Sequence, residues 1–188
     1  MGADTSLPTF GRAQRFIGDR VTAALERVEP ARIARAVEML AKAPQAFVYG
    51  AGRSGIVGRA FAMRLVQTGL RAFVIGESVT PIVQHGDVVF ILSGQGESSS
   101  SIQTANIVRR EGAELIVVTA RGTSKLAHTA SLLIALEFPD EPDRARLAPL
   151  GTLFESASLR LTDALIAELA AARGENEESM RRRHAIIV

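Results

Sequence analysis

Short apolar runs alternate with helix-length segments through the middle of this chain. There are five such runs, rich in Val, Ile, Leu and Phe: Ala46–Tyr49, Ala72–Ile75, Val88–Leu92, Leu115–Thr119 and Leu132–Leu136. Nearly continuous apolar strands between helices are typical of a parallel sheet that helices cover on both faces. The pattern therefore predicts an α/β fold with a doubly wound, five-stranded parallel sheet.

Helical periodicity predicts further elements at both ends of the chain. Two amphipathic helices are expected between about residues 9 and 43, divided at Pro30. A long helix is expected over Thr152–Ala172, and a last one in the tail of about 175–188, where acids precede arginines as the helix dipole favours. The segment 138–149 carries three prolines and five charges, which predicts an exposed loop, either a linker or a mobile lid.

Composition narrows the possible functions. A chain of 188 residues with 47% hydrophobic residues can bury a sizeable core and suits a single domain. It has no cysteine, which excludes disulfides, thiolate metal ligands and a cysteine nucleophile. The three histidines lack metal-binding spacing, so we predict no metal site.

Charge and hydropathy bear on partners and location. A net charge of only +2 with 5% aromatic residues argues against binding to nucleic acid. No apolar run approaches the roughly 20 residues that span a bilayer, and the first residues lack the apolar centre of a signal peptide. We therefore expect a cytoplasmic protein that binds neither nucleic acid nor membrane.

A glycine-rich turn follows the first predicted strand. Gly50, Gly52 and Gly55 form the G-x-G-x-x-G pattern of dinucleotide-binding turns. Glu77 follows roughly 20 residues later, where the ribose of NAD requires an acid. This turn alone is compatible with an NAD-linked oxidoreductase, so the choice depends on a second signal.

The second signal is a serine-rich turn, SGQGESSSS, over Ser93–Ser101 after the third strand. Glycines allow close approach of an anion, serine hydroxyls donate to phosphate oxygens, and the next helix offers free N–H groups. Both turns follow strand ends that face one crevice in an open α/β sheet. A dinucleotide site would leave this turn unused, whereas a phosphate site uses both. The alternative is that the serines only cap a helix and the glycines only turn the chain.

Together with two later segments, these turns resemble the 6-phospho-3-hexuloisomerases, which are proteins of the sugar isomerase (SIS) domain family. The resemblance rests on GAGRSG, SGQGES, APLGTLFE and MRRRHA, and it covers nearly the whole chain. It implies a SIS domain with flavodoxin-like strand order, a homo-oligomer that is commonly a tetramer, and no cofactor. It also implies interconversion of D-arabino-3-hexulose 6-phosphate and D-fructose 6-phosphate through an enediol, a step of the ribulose monophosphate pathway of formaldehyde fixation.

For the site, the resemblance implies a base, a proton-transfer group and two binding turns. Glu155 matches the base, and His184 matches the proton-transfer position, contributed across a subunit contact. Gln95 departs from the family, which has a hydroxyl residue there; an amide can still donate, but with a different reach. The residues matched to substrate binding are Gly52, Arg53, Ser54, Ser93, Gln95, Glu97 and Ser98.

Other functions stay open at the level of sequence. Without the resemblance, Glu155 would be interpreted as a first-turn glutamate that complements the helix dipole. A non-catalytic regulator that binds sugar phosphates would keep both turns and dispense with Glu155 and His184. Because a phosphate site fixes one end of the sugar only, arabinose 5-phosphate and heptose 7-phosphate are alternative substrates.

Overall fold

One all-parallel sheet forms the centre of the molecule. The structure is a computed structural model, and it describes residues 8–186. The strands are β1 Ala46–Gly50, β2 Ala72–Val74, β3 Val88–Leu92, β4 Glu114–Thr119 and β5 Leu132–Ala135. They lie in the order β2-β1-β3-β4-β5. This is the flavodoxin-like order, and it confirms the doubly wound α/β fold.

Helices cover both faces of the sheet. They are α1 Pro8–Glu26, α2 Pro30–Lys42, α3 Gly52–Gln67, α4 Ser99–Arg110, α5 Arg144–Leu147, α6 Thr152–Ala172 and α7 Glu177–Arg182, with a 3-10 turn at Ala127–Thr129. Within residues 8–186, none of these helices has both the length and the apolar character needed to cross a bilayer.

Each face of the sheet has its own hydrophobic core, because successive side chains of a strand point to opposite faces. Val48 and Phe90 contribute to the first core, which is completed by α1, α2, α3 and α6. Phe47 and Ile91 contribute to the second core, which is completed by α4 and the residues around the 3-10 turn. Strands buried on both sides read as unbroken apolar runs, which is why the sequence predicts them well.

The segment 138–149 is more ordered than predicted. It contains the short helix α5, and its Leu147 and Ala148 are 5% and 0% exposed. Arg20 of α1 donates to both carboxylate oxygens of Glu141, at 2.5 and 2.6 Å. The prediction of an exposed loop was therefore wrong for this part of the segment, because its two apolar residues are buried and an ion pair ties it to α1.

Arginines cover the outer edge of β5. Arg32 donates to the carbonyl oxygen of Leu133 at 2.8 Å, and Arg27 donates to that of Glu137 at 2.6 Å, just beyond the strand. At the opposite edge of the sheet, β2 has only three residues. Charged side chains on the edge and short edge strands are both devices that block pairing with another sheet.

Two arginines, Arg173 at the C-cap of α6 and Arg183 in the tail, clamp this part of the chain to the C-terminal end of α3. Arg183 donates to both carboxylate oxygens of Glu175, at 2.7 and 2.9 Å, and to the carbonyl oxygen of Gln67 at 3.1 Å. Arg173 donates to the carbonyl oxygen of Thr68 at 3.1 Å. Carbonyl groups at the end of a helix lack partners within it, so the two guanidinium groups complete the hydrogen bonding of α3.

The clamp gives the tail a defined pH dependence. Hydrogen bonds from Arg183 and then from Ser179 lower the pKa of the Glu175 carboxyl from 4.5 to about 2. A carboxyl whose pKa is depressed by folding adds stability above its ordinary pKa and loses that contribution as the pH falls through the depressed value. The clamp is therefore fully effective at neutral pH and weakens in acid.

We predict that the amides of α7 are more protected from hydrogen exchange in the natural protein than in Glu175→Gln at neutral pH. The difference should shrink as the pH falls from 4.5 towards 2, because protonation of Glu175 then removes the ion pair. Hydrogen exchange followed by NMR, compared at matched pH, measures it. The control is Glu177→Gln on the same helix, since its pair with Arg181 is exposed and contributes little. Equal protection in Glu175→Gln and the natural protein at neutral pH would contradict the prediction.

Candidate active site

The first turn of the site depends on backbone contact between two glycines. A Cβ atom on Gly50 would lie 2.8 Å from the backbone nitrogen of Gly55, and one on Gly55 would collide with the carbonyl group of Gly50. Gly52, the first residue of α3, has a left-handed φ of +57°. Only glycine fits such contacts and this conformation without strain. The N-terminus of α3 is thereby placed directly against the end of β1.

The second turn, residues 93–98, is bonded to the connection that follows β4. The backbone N–H of Ala120 donates to the carbonyl oxygen of Gly94 at 3.0 Å, and that of Leu126 donates to Gly96 at 3.1 Å. Gly96 has a φ of +65°, and a Cβ atom there would collide with the buried hydroxyl of Ser124. The turn is thus a fixed structure, and it begins at the buried Ser93.

The second turn has backbone N–H groups without hydrogen-bond acceptors in the described part of the chain. The backbone N–H groups of residues 94–98 donate to no acceptor within residues 8–186. Ser98 stands at the N-cap of α4 without a capping hydrogen bond, and its hydroxyl lies 2.9 Å from that of Ser100. Capping therefore does not explain Ser98. Free N–H groups at a helix N-terminus, where the dipole is positive, suit an anionic ligand.

Two other predicted residues of this turn have different surroundings. Gln95 is exposed at the tip of the turn. Glu97 accepts the backbone N–H of Lys125 at 3.1 Å, and that hydrogen bond lowers the pKa of its carboxyl. The contacts of Glu97 support a role in holding the turn against the β4 connection.

Glu155 lies at the same edge of the sheet, in the first turn of α6. Its Oε2 accepts a hydrogen bond from Nε of Arg53 at 2.5 Å. Its Oε1 lies over Gly151, so that a Cβ atom on Gly151 would be only 2.7 Å from this oxygen. The ring of the preceding residue, Phe154, packs on Gly94 of the second turn. The structure therefore brings Glu155, Arg53 and both turns together.

His184 lies elsewhere in the same chain. It follows Arg183, which is bonded to the C-terminal end of α3, whereas Arg53 and Ser54 lie at the N-terminal end of that helix. A helix of 16 residues is about 24 Å long, so this His184 is remote from Glu155 of its own chain. Its ring is exposed, and Nδ1 lies 2.8 Å from the carbonyl oxygen of Ala185.

Sequence reasoning missed the residues that hold the site in shape. Ser124 and Lys125 come from the β4 connection and fix the second turn through Gly96 and Glu97. Nothing in their local sequence signals this, because the contacts are formed only in the fold. Gly151 could have been found from the sequence, because a glycine just before α6 leaves space for the Glu155 side chain. Within residues 8–186 no group of three or more acidic or histidine side chains could hold a metal ion.

The two turns follow β1 and β3, the neighbouring strands between which the strand order reverses. Ligands of open α/β sheets bind in the crevice at this switch point. Glycine- and serine-rich turns on both sides of such a crevice are typical of α/β domains that bind phosphorylated small molecules. More particularly, the chain belongs to the SIS domain family, whose model matches residues 39–166.

Relatives with known names are similar over most of their length. The 3-hexulose-6-phosphate isomerase of Methylomonas aminofaciens is 32% identical over 178 residues, which cover 94% of this chain and 98% of that protein. The 3-hexulose-6-phosphate isomerase of Bacillus subtilis is 37% identical over 147 residues, 75% of this chain and 78% of that one. A crystal structure from Methanococcus jannaschii, from which a function of 3-hexulose-6-phosphate isomerase was inferred, has a TM-score of 0.85 at 25% identity. It covers 94% of this chain and 99% of the other.

We predict that Gly96→Ala destabilises the fold by about 2–4 kcal/mol. Roughly 1 kcal/mol comes from the left-handed backbone and about 1–3 kcal/mol from overpacking against Ser124. Urea unfolding measures the change. The control is Gly18→Ala in α1, where a Cβ atom meets nothing within 4 Å and alanine should stabilise the helix by up to about 1 kcal/mol. A Gly96→Ala protein as stable as the natural one would show that the turn is not confined as described.

Proposed function

We propose that this chain is a 6-phospho-3-hexuloisomerase, which interconverts D-arabino-3-hexulose 6-phosphate and D-fructose 6-phosphate. The observation that carries the proposal is the position of Glu155 beside a phosphate-type turn, joined to it through Phe154 and Gly94. The choice of substrate is supported by relatives named 3-hexulose-6-phosphate isomerase, which are similar to this chain over most of its length. A dinucleotide would use the first turn only.

Phosphate binding is the role proposed for the second turn. The free N–H groups of residues 94–98 and the hydroxyls of Ser93 and Ser98 belong to the turn that leads into α4, whose N-terminus provides a positive potential. Gln95 adds an amide donor at the tip. Gly52 and Ser54 border the crevice on the other side, at the start of α3. A phosphate held there would anchor the sugar so that its reacting carbons are presented in a fixed orientation.

Glu155 is the proposed base. In the direction of fructose 6-phosphate, its carboxylate takes the proton from C2, and the electrons of that bond form an enediol with C3. A proton is then delivered to C3, and the carbonyl group forms at C2. The 3-ketose reaches the site as an open chain, because ring closure through O1 or O5 would give a strained four-membered ring while O6 carries the phosphate. No ring opening is needed in this direction.

His184 is the proposed proton carrier at O2 and O3, supplied by a second copy of the chain. A histidine suits this task because it changes charge near neutral pH. The proposal requires a homo-oligomer, with a tetramer as the state that the family resemblance favours. An apolar stripe on α3 supports subunit contact: Ile56, Met63 and Val66 are 67%, 51% and 43% exposed, at helical spacing along the element that joins the site to the tail.

The proposed reaction also implies a setting. It would consume the product of an aldol-type fixation of formaldehyde, as in the ribulose monophosphate pathway. The absence of cysteine from the sequence is compatible with a location in the cytoplasm.

We expect Glu155→Gln to bind fructose 6-phosphate and to lose wash-in of deuterium from solvent at its C3, with turnover reduced by about 10²–10⁴-fold, the usual contribution of a positioned base. NMR in D2O measures both exchange and turnover. Glu168→Gln, an exposed glutamate on the same helix, is the control and should keep full activity. Retained exchange in Glu155→Gln would remove Glu155 as the base.

The same NMR assay tests the choice of substrate when it is run with a panel of phosphosugars. Turnover of the 3-hexulose phosphate in the presence of a chelator supports the proposal. If only arabinose 5-phosphate or a heptose 7-phosphate is turned over, that sugar is the substrate instead of the 3-hexulose phosphate. Binding of fructose 6-phosphate without any turnover would make the chain a regulator.

We predict that mixing two inactive variants, Glu155→Gln and His184→Ala, restores activity after joint unfolding and refolding. Hybrid oligomers would contain sites in which an intact Glu155 from one chain meets an intact His184 from another. Assays of the mixture against each refolded variant alone measure the recovery. If hybrid oligomers form but the mixture is no more active than the separate variants, His184 does not act across the subunit contact.

A further inference from the structure

Arg53 and Glu155 form an ion pair whose two members differ in exposure. The side chain of Glu155 is 12% exposed, whereas that of Arg53 is 70% exposed. The Arg53 guanidinium contacts the carboxylate through Nε alone, at 2.5 Å from Oε2. The largely covered member of the pair is thus the proposed base, and the member that faces solvent is the cation.

The two side chains also differ in how firmly they are held. Glu155 lies against Gly151, and its neighbour Phe154 is packed on Gly94. The two terminal nitrogens of Arg53 have no hydrogen-bond acceptor within residues 8–186. The carboxylate is therefore held by packing as well as by the ion pair, whereas the guanidinium is held by the ion pair alone.

Arg53 is placed where an anionic ligand would meet it. It is the second residue of α3, beside the glycine turn and across the crevice from the serine turn. The paired terminal nitrogens of an arginine match the oxygens of a phosphate or of a developing enediolate. Such a ligand carries more negative charge than one carboxylate, so it competes with Glu155 for the guanidinium.

We propose that Arg53 is a gate on the base: it occupies Oε2 of Glu155 until the anionic oxygens of a phosphorylated ketose draw it away. This rests on the proposed function, in which Glu155 takes the proton. Once Oε2 is free, the carboxylate accepts a proton from the carbon next to the ketone and becomes a carboxylic acid, while the electron pair of the broken C–H bond enters the enediolate. Arg53 thereby binds the anionic oxygens of the substrate and makes proton transfer conditional on the phosphate.

The gate has a consequence for specificity. A ketose without a phosphate group leaves the ion pair closed, so it is rejected at the chemical step as well as by weak binding. Inorganic phosphate added with such a ketose should open the gate. Removal of Arg53 should have the same effect without phosphate.

The test uses fructose, fructose 6-phosphate and inorganic phosphate with the full-length protein in D2O, and follows exchange at C3 by NMR. In the natural protein, phosphate should raise exchange of fructose by at least about tenfold, the scale of one charge-assisted hydrogen bond. In Arg53→Gln, exchange of fructose without phosphate should exceed that of the natural protein by a similar factor, and phosphate should add nothing. For fructose 6-phosphate the same variant should lose kcat/KM.

A second readout does not depend on turnover. The Nε–H signal of Arg53 in ¹⁵N-labelled protein, assigned by its loss in Arg53→Lys, should shift when inorganic phosphate is added. An Nε–H signal that stays unchanged at saturating phosphate would overturn the gate.

Arg59→Gln is the matched control, because Arg59 is on the same helix, 65% exposed, and paired with Glu77 at 2.8 Å. It should behave like the natural protein. If Arg53→Gln matches Arg59→Gln in its ratio of fructose to fructose 6-phosphate exchange, the gate is wrong even though Glu155 is the base. If Glu155→Gln keeps exchange, the proposed function fails instead, so the two failures are distinguishable.

Discussion

The site depends on how closely the backbone of a helix can approach the end of a strand. Gly50 and Gly55 touch through their main chains, and a side chain on either would push α3 away from β1. This contact aims the first turn of α3 at the crevice beside β3. Donors that belong to the backbone are positioned by the fold itself, so they need no side-chain ordering when a ligand binds. The cost is that these positions accept only glycine.

The second turn and the acid form one packed unit. Phe154 lies on Gly94, and Glu155 directly follows Phe154, so a displacement of the turn would displace the carboxylate as well. On the other side, Gly96 is confined by Ser124. The serine turn and the proposed base are thus held together by van der Waals contact between apolar and backbone atoms. Arg53, by contrast, is attached to this unit through its ion pair with Glu155, and its own side chain is 70% exposed.

The sequence predicted those features that depend on residues close together in the chain. All five strands were predicted because each lies in a short apolar run, which is unbroken where the strand is buried on both faces, as β3 is. Both turns were predicted because glycine and serine clusters are local signals. The pairing of Arg53 with Glu155 joins residues far apart in sequence, and it follows from the convergence of two helix starts at one edge of the sheet.

Other features were beyond sequence reasoning for related reasons. The burial of Leu147 and Ala148 could not be read from a segment dominated by prolines and charges, because these two residues are too few to show a period. The remoteness of His184 from its own Glu155 follows from the arginine clamp on α3, whose acceptors are main-chain carbonyls without any sequence signature.

The arginines along β5 limit how copies of this chain can associate. Because Arg32 occupies a main-chain carbonyl of this outer strand, and β2 at the other border is only three residues long, two sheets cannot readily join into a continuous ribbon. In the proposed homo-oligomer, contacts between copies would then form through helical surfaces, where side chains rather than main-chain ladders decide which partner fits. Such contacts can be remodelled by a few substitutions while the central sheet and its crevice remain intact.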